Sequence, residues 1–193
     1  MGAVFVVKPA MDGFKKSSTS LPGLLLLEPR VFGDERGFFL ESYNQRVLAG
    51  LGIHQQFVQD NHSRSQRNVL RGLHYQIKHP QGKLVRVVEG EILDVAVDLR
   101  RSSPTFGKWE AVRLSGNNRF MLWIPEGFAH GFCVTSDRAH VLYKATDYYA
   151  PEYERTLAWN DPDLKIAWEL EGEPIVSPKD QRGVALRDAE TFA

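Results

Sequence analysis

Short stretches in which hydrophobic and polar residues alternate recur along most of the chain, each bounded by glycine, proline or asparagine. In the clearest, residues 91–100, the aliphatic side chains at 93, 95, 97 and 99 fall on one face of a strand, and the side chains at 94, 96 and 98 fall on the other. Similar patterns predict strands at 4–7, 56–61, 69–76, 84–88, 108–114, 120–124, 131–135 and 140–148. Strands about ten residues apart, with turns between them, predict an all-β sandwich or barrel.

Helical periodicity is scarce. Residues 44–49, which precede Gly50, predict one short helix, and residues 163–168 predict a helical turn. Residues 12–20 are mostly polar, which predicts a flexible loop. No repeat or compositional break divides the chain. We therefore expect a single domain over 1–193, with an N-terminal arm and loop at 1–23 and a less regular C-terminal wrap at 151–193.

The overall charge excludes some classes of partner. The 24 basic and 24 acidic residues cancel, which argues against a nucleic-acid or membrane-surface partner. The single cysteine, Cys133, cannot form an internal disulfide and fits a reducing compartment. No apolar run approaches the roughly 18 residues of a membrane span, and the four leucines at 24–27 are closed by Glu28 and Pro29. The N-terminus also lacks the pattern of a signal peptide, so we expect a cytoplasmic protein.

An arginine and a histidine lie on one predicted strand, LRGLHYQ at 70–76. A lone histidine in a strand is more often a buried side chain bonded to a backbone carbonyl, but Arg71 and His74 together are unusual in a plain core. Strict alternation places them on opposite faces. Both reach one pocket only if Gly72 allows a bulge or kink, so we predict an irregularity there.

A second candidate segment is WIPEGFAHGF at 123–132. Its P-x-G-x-x-H string, which ends at His130, resembles the second half-motif of cupin jelly rolls. Metal-binding cupins usually carry a His-x-His pair and a nearby glutamate. This chain has His74-x-Gln76 instead, and a Gly-Lys pair at 82–83 where the glutamate is expected. Histidines without a carboxylate make a poor site for a divalent cation, so we expect no metal.

Two tyrosines in VLYKATDYY at 141–149, Tyr143 and Tyr149, are an even number of residues apart, so both can lie on the same face of a strand and face one cavity. Tyrosines in strands more often serve packing. From the residues alone, packing is the favoured alternative for Tyr149 and is evenly balanced for Tyr143.

Four cations are also candidates for a lined pocket, although most lysines and arginines are solvated surface groups. Arg36 and Lys83 are flanked by glycine and apolar residues, and Arg71 and Lys179 complete the set. Arginine offers a planar fork for a diphosphate, and lysine a compact charge for an enolate oxygen.

Taken together, these segments resemble the dTDP-4-dehydrorhamnose 3,5-epimerase family. The likeness runs from about residue 24 to 180 and consists of FGDERGFF at 32–39, QDNHS at 59–63, LRGLHYQ at 70–76, QGKL at 81–84, DVAVD at 94–98, SPTFG at 103–107, PEGFAHG at 125–131 and SPKD at 177–180. Several strings in the right order are far more specific than any one. The family implies an all-β, cupin-type double-stranded β-helix (jelly roll) with short peripheral helices, a homodimer, and catalysis without a cofactor.

The resemblance also assigns roles to residues. His74 matches the family's base, Asp180 the acidic partner that orients it, Tyr143 the general acid and Lys83 the lysine near the C4 oxygen. The remaining matches are positions that contact substrate, some of them across the dimer: Arg36, Glu41, Gln59, Asn61, Arg71, His130, Tyr149 (which stacks on thymine), Glu154 and Lys179. The stretch around residues 10–20 is longer than usual in the family, which puts the pairing of the N-terminal arm at the dimer interface in doubt.

The implied reaction inverts C3 and C5 of dTDP-4-keto-6-deoxy-D-glucose in dTDP-L-rhamnose synthesis. Its ketone acidifies both hydrogens, so a base with a pKa near neutrality, a cation for the enolate and an acid on the opposite face of the sugar suffice. Three alternatives stay open: an epimerase that inverts only C3 or only C5 of a related dTDP-4-keto sugar, a metal-dependent cupin, and a non-catalytic sugar-binding jelly roll.

Overall fold

The computed structural model describes residues 13–193, which form mainly β-strands. The strands are β1 Phe14–Ser18, β2 Leu25–Pro29, β3 Val31–Asp34, β4 Gly37–Leu40, β5 Gln59–Gln66, β6 Leu70–Gln76, β7 Lys83–Glu89, β8 Glu91–Asp98, β9 Trp109–Ser115, β10 Met121–Ile124, β11 Phe128–Val134, β12 Arg138–Ala145 and β13 Glu154–Thr156. Helix α1 covers Gln45–Gly50, and short 3-10 turns lie at Pro151–Tyr153, Asp180–Arg182 and Leu186–Asp188. Within residues 13–193, no helix has the length and apolar character needed to cross a bilayer.

Two antiparallel sheets pack against each other. The first has the strand order β1-β2-β10-β7-β12-β5 and the second β13-β6-β11-β8-β9, while β3 and β4 form a separate hairpin. Val85 and Val141 of the first sheet share one buried cluster with Ala96 and Phe132 of the second, which places the main core between the sheets. This is the jelly roll that the resemblance implied.

The alternation along β8 has the predicted consequence. Leu93, Val95 and Val97 belong to a second buried cluster, which the C-terminal segment covers with side chains that include Leu157 and Leu164. The alternate residues 94, 96 and 98 face the space between the sheets and are completely buried, although two of them are aspartates. Both faces of β8 are therefore enclosed.

The eight predicted strands that fall in the described residues are confirmed, with ends that shift by a few residues. The strand predicted at 4–7 lies outside the described residues. Helix α1 is also confirmed, and the Asn44 side chain caps it by accepting from the backbone N–H groups of Arg46 and Val47. The predicted turn at 163–168 begins earlier, because Lys165 N donates to Asp161 O at 3.0 Å.

The flexible loop predicted at 12–20 is wrong. Phe14–Ser18 forms β1, which pairs with β2 in antiparallel register. Phe14 is almost fully buried against Leu27, Leu48 and Met121, in a cluster on the outer side of the first sheet. Burial of this aromatic ring and the ladder with β2 outweigh the polar composition of the segment.

Asp98 is the last residue of the DVAVD segment, and its side chain forms hydrogen bonds to residues of the SPTFG segment. Its carboxylate accepts from Arg100 Nε and Nη2, both at 2.8 Å, from Ser103 Oγ at 2.6 Å and from Thr105 Oγ1 at 2.7 Å. Burial alone would raise the pKa of Asp98, but these hydrogen bonds outweigh it and lower the pKa to about 2. The folded-state pKa is depressed, so the stabilisation is complete above the ordinary value of 3.8 and is lost as the pH falls towards 2.

We expect Asp98→Ala to lower the free energy of unfolding by about 3–5 kcal/mol, because it leaves Arg100 without its buried partner. Urea unfolding followed by tryptophan fluorescence measures the loss. The matched control is Asp60→Ala, which removes an exposed ion pair with Lys144 and should cost less than about 1 kcal/mol. Equal losses in the two variants would show that the buried network is not a main source of stability.

Candidate active site

A cavity of about 630 Å³ opens between the two sheets. Its walls come from β5, β7 and β12 of the first sheet, from β6, β11 and β13 of the second, and from the C-terminal segment around residues 175–180. The predicted site residues that line it are Gln59, Asn61, Arg71, His74, Lys83, His130, Tyr143, Tyr149, Glu154, Lys179 and Asp180.

The backbone at Gly72 explains how Arg71 and His74 enter the same cavity. The register between β6 and β11 shifts, so that His130 pairs with His74 while Phe132 pairs with Arg71. Gly72 has φ of 106°, and a Cβ atom there would lie 2.6 Å from the carbonyl oxygen of His130. Only glycine fits this close approach. The predicted irregularity is confirmed.

His74 is held by a carboxylate. Its Nε2 lies 2.5 Å from Asp180 Oδ1, and Ser177 Oγ donates to Asp180 Oδ2 at 2.9 Å. Because a carboxylate only accepts, Nε2 carries the hydrogen and Nδ1 is left as the free nitrogen. Burial lowers the pKa of His74 below 6.5, although the hydrogen bond and charge of Asp180 oppose this. The imidazole is therefore neutral at pH 7.

Tyr143 reaches the cavity from the opposite sheet. It lies on β12 of the first sheet, whereas His74 lies on β6 of the second. Burial raises the pKa of Tyr143, and the negative charge of Glu154 acts in the same direction. The phenol therefore keeps its hydrogen at neutral pH, and a neutral imidazole and a protonated phenol line one cavity from opposite sheets.

Lys83 and His130 add buried cationic and hydrogen-bonding groups. Lys83 Nζ lies 3.5 Å from the carbonyl oxygen of His74, and burial lowers the pKa of Lys83 to about 8. His130 Nε2 lies 3.0 and 2.9 Å from the two carboxylate oxygens of Asp94. Both groups can approach an oxygen atom of a ligand in the cavity.

Hydrogen bonds connect the side chains at the entrance of the cavity. Tyr149 OH donates to Glu154 Oε2 at 2.9 Å, and Lys179 Nζ donates to Glu154 Oε1 at 2.8 Å. The backbone N–H of Tyr149 donates to Gln59 Oε1 at 2.9 Å, while about half of the Tyr149 side chain stays exposed. An aromatic ring fixed in this way offers a flat surface on which a planar ligand can stack.

Arg36 and Glu41 do not line this cavity. Arg36 lies at the turn of the β3–β4 hairpin, where its guanidinium pairs with Asp34 and stays 85% exposed. Glu41 follows β4 and accepts from Asn44 Nδ2 at 3.1 Å. A single chain therefore does not bring these two residues to the other site residues.

Sequence reasoning missed three polar residues at the site. Ser177 donates to the Asp180 carboxylate, and Asp94 contacts the imidazole of His130. The third residue is Ser63, whose Oγ is buried at the cavity wall without a hydrogen-bond partner among residues 13–193. The alternation of β5 and β8 places Ser63 and Asp94 on the inner face and could have identified them. Across the same residues, no three His, Cys, Asp or Glu side chains are grouped closely enough to hold a metal ion.

Comparison with known proteins agrees with this geometry. The family model for dTDP-4-dehydrorhamnose 3,5-epimerase matches residues 18–188. The chain belongs to this family. The dTDP-4-dehydrorhamnose 3,5-epimerase of Pseudomonas aeruginosa is 59% identical over 179 residues, which cover 92% of this chain and 99% of that one. The enzyme of the same name from Shigella flexneri is 54% identical over 176 residues, which cover 90% of this chain and 97% of that one.

A solved structure of a family member has the same fold. It is the dTDP-6-deoxy-D-glucose-3,5-epimerase of Legionella pneumophila in complex with dTDP-4-keto-L-rhamnose, with a TM-score of 0.89 and 51% identity over 92% of this chain and 95% of that one. The resemblance inferred from the quoted strings is therefore confirmed. As a dTDP-4-dehydrorhamnose 3,5-epimerase family member, the chain is an isomerase.

Proposed function

We propose that this protein inverts C3 and C5 of dTDP-4-keto-6-deoxy-D-glucose to give dTDP-4-keto-L-rhamnose, in dTDP-L-rhamnose synthesis and without a cofactor. The observation that carries the proposal is the entry of His74 and Tyr143 into one cavity from opposite sheets, with Lys83 in the same cavity. A nucleotide-sugar substrate and the free thiol of Cys133 support a cytoplasmic location.

The first step is removal of a hydron from a carbon next to the ketone. Neutral His74 accepts it at Nδ1, and Asp180 stabilises the imidazolium that forms. The electron pair of the broken C–H bond moves into an enolate, whose charge gathers on the C4 oxygen. Lys83 stabilises this oxygen, because it is a buried cation.

The second step returns a hydron from the other side. The Tyr143 hydroxyl donates to the enolate carbon, the carbonyl at C4 re-forms, and the phenolate recovers a hydron as the imidazolium releases its own to solvent. Substrate and product are isomers, so no oxidant or reductant is consumed. The same pair of groups serves C3 and C5 in turn, since both carbons adjoin the one ketone.

The remaining cavity residues suit a dTDP group. Arg71 and Lys179 supply positive charge for the diphosphate, and the exposed ring of Tyr149 supplies a stacking surface for thymine. The amide Nδ2 of Asn61 is buried without a hydrogen-bond partner in the described chain, so it can donate to the nucleotide.

Proton NMR of dTDP-4-keto-6-deoxy-D-glucose with the enzyme in deuterated water tests the function. We expect deuterium at both C3 and C5 and conversion to the rhamno configuration. Deuterium and inversion at one carbon only would identify a mono-epimerase, and no exchange at all would exclude the proposed reaction. Activity that disappears on extensive chelation would favour a metal-dependent cupin.

We also propose a homodimer in which the β3–β4 hairpin contacts the partner and brings Arg36 and Glu41 to the partner's cavity. The hairpin carries the large apolar side chains Phe32, Phe38 and Phe39 with half or more of each exposed, as expected of an interface surface. Arg36 lies outside the cavity of its own chain, which also supports a role across the dimer.

Mixing two impaired variants tests this arrangement. We expect Arg36→Ala to weaken use of the substrate about 10- to 100-fold, because a charge-assisted bond to phosphate is lost. Mixed dimers of Arg36→Ala and His74→Ala subunits should recover activity, since one of their two sites has both residues intact. If Arg36 serves its own chain, no mixed site is complete and activity stays low.

A further inference from the structure

The proposed hydron transfers assign no role to the buried carboxylate that contacts His130. Asp94 lies on β8, is completely buried, and projects between the two sheets beneath the cavity. Its two carboxylate oxygens lie 3.0 and 2.9 Å from His130 Nε2. Within residues 13–193, His130 is the hydrogen-bond partner of this side chain.

A fully buried carboxylate is costly unless it is paired, and Asp94 is paired with His130. The contact with Asp94 has a chemical consequence for His130. Because the carboxylate accepts, Nε2 carries a hydrogen and the ring is fixed, which leaves Nδ1 as the nitrogen free to meet a ligand. His130 lines the same cavity as Lys83.

Asp94 also provides countercharge for Lys83. Lys83 lies on β7 and is almost fully buried, and burial lowers its pKa to about 8. The negative charge of Asp94 is the main influence that opposes this fall, followed by Glu154, whereas Lys179 adds to it. The other titratable groups that line the cavity around Lys83 are Arg71, His74, His130, Tyr143, Tyr149 and Asp180.

We propose that Asp94 is a positioning residue for the end of the cavity that binds the C4 oxygen, where it orients His130 and supplies the countercharge to Lys83. This inference rests on the proposed function and deepens it. His74, Asp180 and Tyr143 move hydrons at carbon, while Asp94, His130 and Lys83 stabilise the charge that the ketone oxygen acquires. The carboxylate itself does not touch the sugar.

The test compares Asp94→Asn with Asp98→Asn. Both changes are isosteric and remove a completely buried carboxylate from the inner face of β8, but Asp98 pairs with Arg100 and does not line the cavity. We expect Asp94→Asn to reduce kcat about 100-fold with little change in KM, which is the loss typical of one oxyanion-stabilising donor. Asp98→Asn should lose stability but keep its kcat.

The pH profile separates positioning from packing. In the wild type, kcat/KM should fall as the pH rises through about 8, where Lys83 loses its charge. In Asp94→Asn this alkaline limb should move to lower pH, and Asp94→Glu should restore it. A limb at the same pH in all three proteins, or a twofold or smaller change in kcat, would overturn the proposal.

A measurement on the wild type keeps the inference testable if Asp94→Asn does not fold. Two-bond 1H–15N NMR of protein labelled in histidine should show His130 with its hydrogen on Nε2, and the Nδ1 resonance should shift when dTDP-L-rhamnose is added. A ring that is protonated only at Nδ1, or that does not respond to the sugar nucleotide, would overturn the inference. A wild type that binds dTDP-L-rhamnose yet shows no hydron exchange would instead count against the proposed function.

Discussion

His74→Ala should abolish hydron exchange at both C3 and C5 of the 4-keto sugar. The proposed function assigns the base to the neutral imidazole of His74, because burial keeps its pKa below 6.5 and Asp180 fixes the tautomer that leaves Nδ1 free. Loss of a general base costs about 10²- to 10⁴-fold in rate. The rate of deuterium incorporation from deuterated water, followed by proton NMR, measures the effect directly because it does not require inversion.

The control for this variant is His54→Ala, which removes an exposed histidine outside the cavity and should exchange at the wild-type rate. Binding of dTDP to His74→Ala should also persist, since Arg71, Lys179 and Tyr149 are unchanged. If His74→Ala exchanges hydrons at the wild-type rate, the base lies elsewhere, and His130 is the next histidine in the cavity to test.

The sequence predicts features that depend on neighbouring residues. The alternation over 91–100 identified both faces of β8, and the Arg71-Gly72 pair predicted the kink because a glycine was needed to bring His74 to the same side. The quoted strings then identified the cavity residues through the family. Each of these depends on local pattern or on motif order.

Features that depend on distant pairing were not predicted. β1 looks like a polar loop until β2 and helix α1 enclose Phe14, and that enclosure joins residues far apart in the chain. The alternation along β8 places Asp94 on the inner face, but its contact with His130 depends on how β11 packs beside β8. Arg36 belongs to the family string FGDERGFF, but the string does not show that the β3–β4 hairpin carries this side chain away from the cavity of its own chain.

Tyr143→Phe should separate exchange from inversion. His74 still removes the hydron, so deuterium should enter C3 or C5, but the acid on the opposite face is gone and the imidazolium returns the deuteron to the side from which it came. Inverted product should fall about 10²- to 10⁴-fold, as expected for loss of a general acid. The ring of Phe preserves the packing of residue 143 against the core cluster, so the fold should be unchanged.

The matched control is Tyr149→Phe, which removes a hydroxyl from the mouth of the same cavity and breaks the bond to Glu154. It should raise KM yet keep the wild-type ratio of inverted product to exchanged substrate, since the proposed function places Tyr149 against the thymine and not at the sugar. That ratio is the decisive quantity. Poor binding lowers inversion and exchange together, whereas loss of the acid lowers inversion and leaves exchange in place. Tyr143→Phe that inverts both carbons with the wild-type ratio would remove the phenol from the mechanism and leave solvent, or another group on that side of the sugar, as the acid.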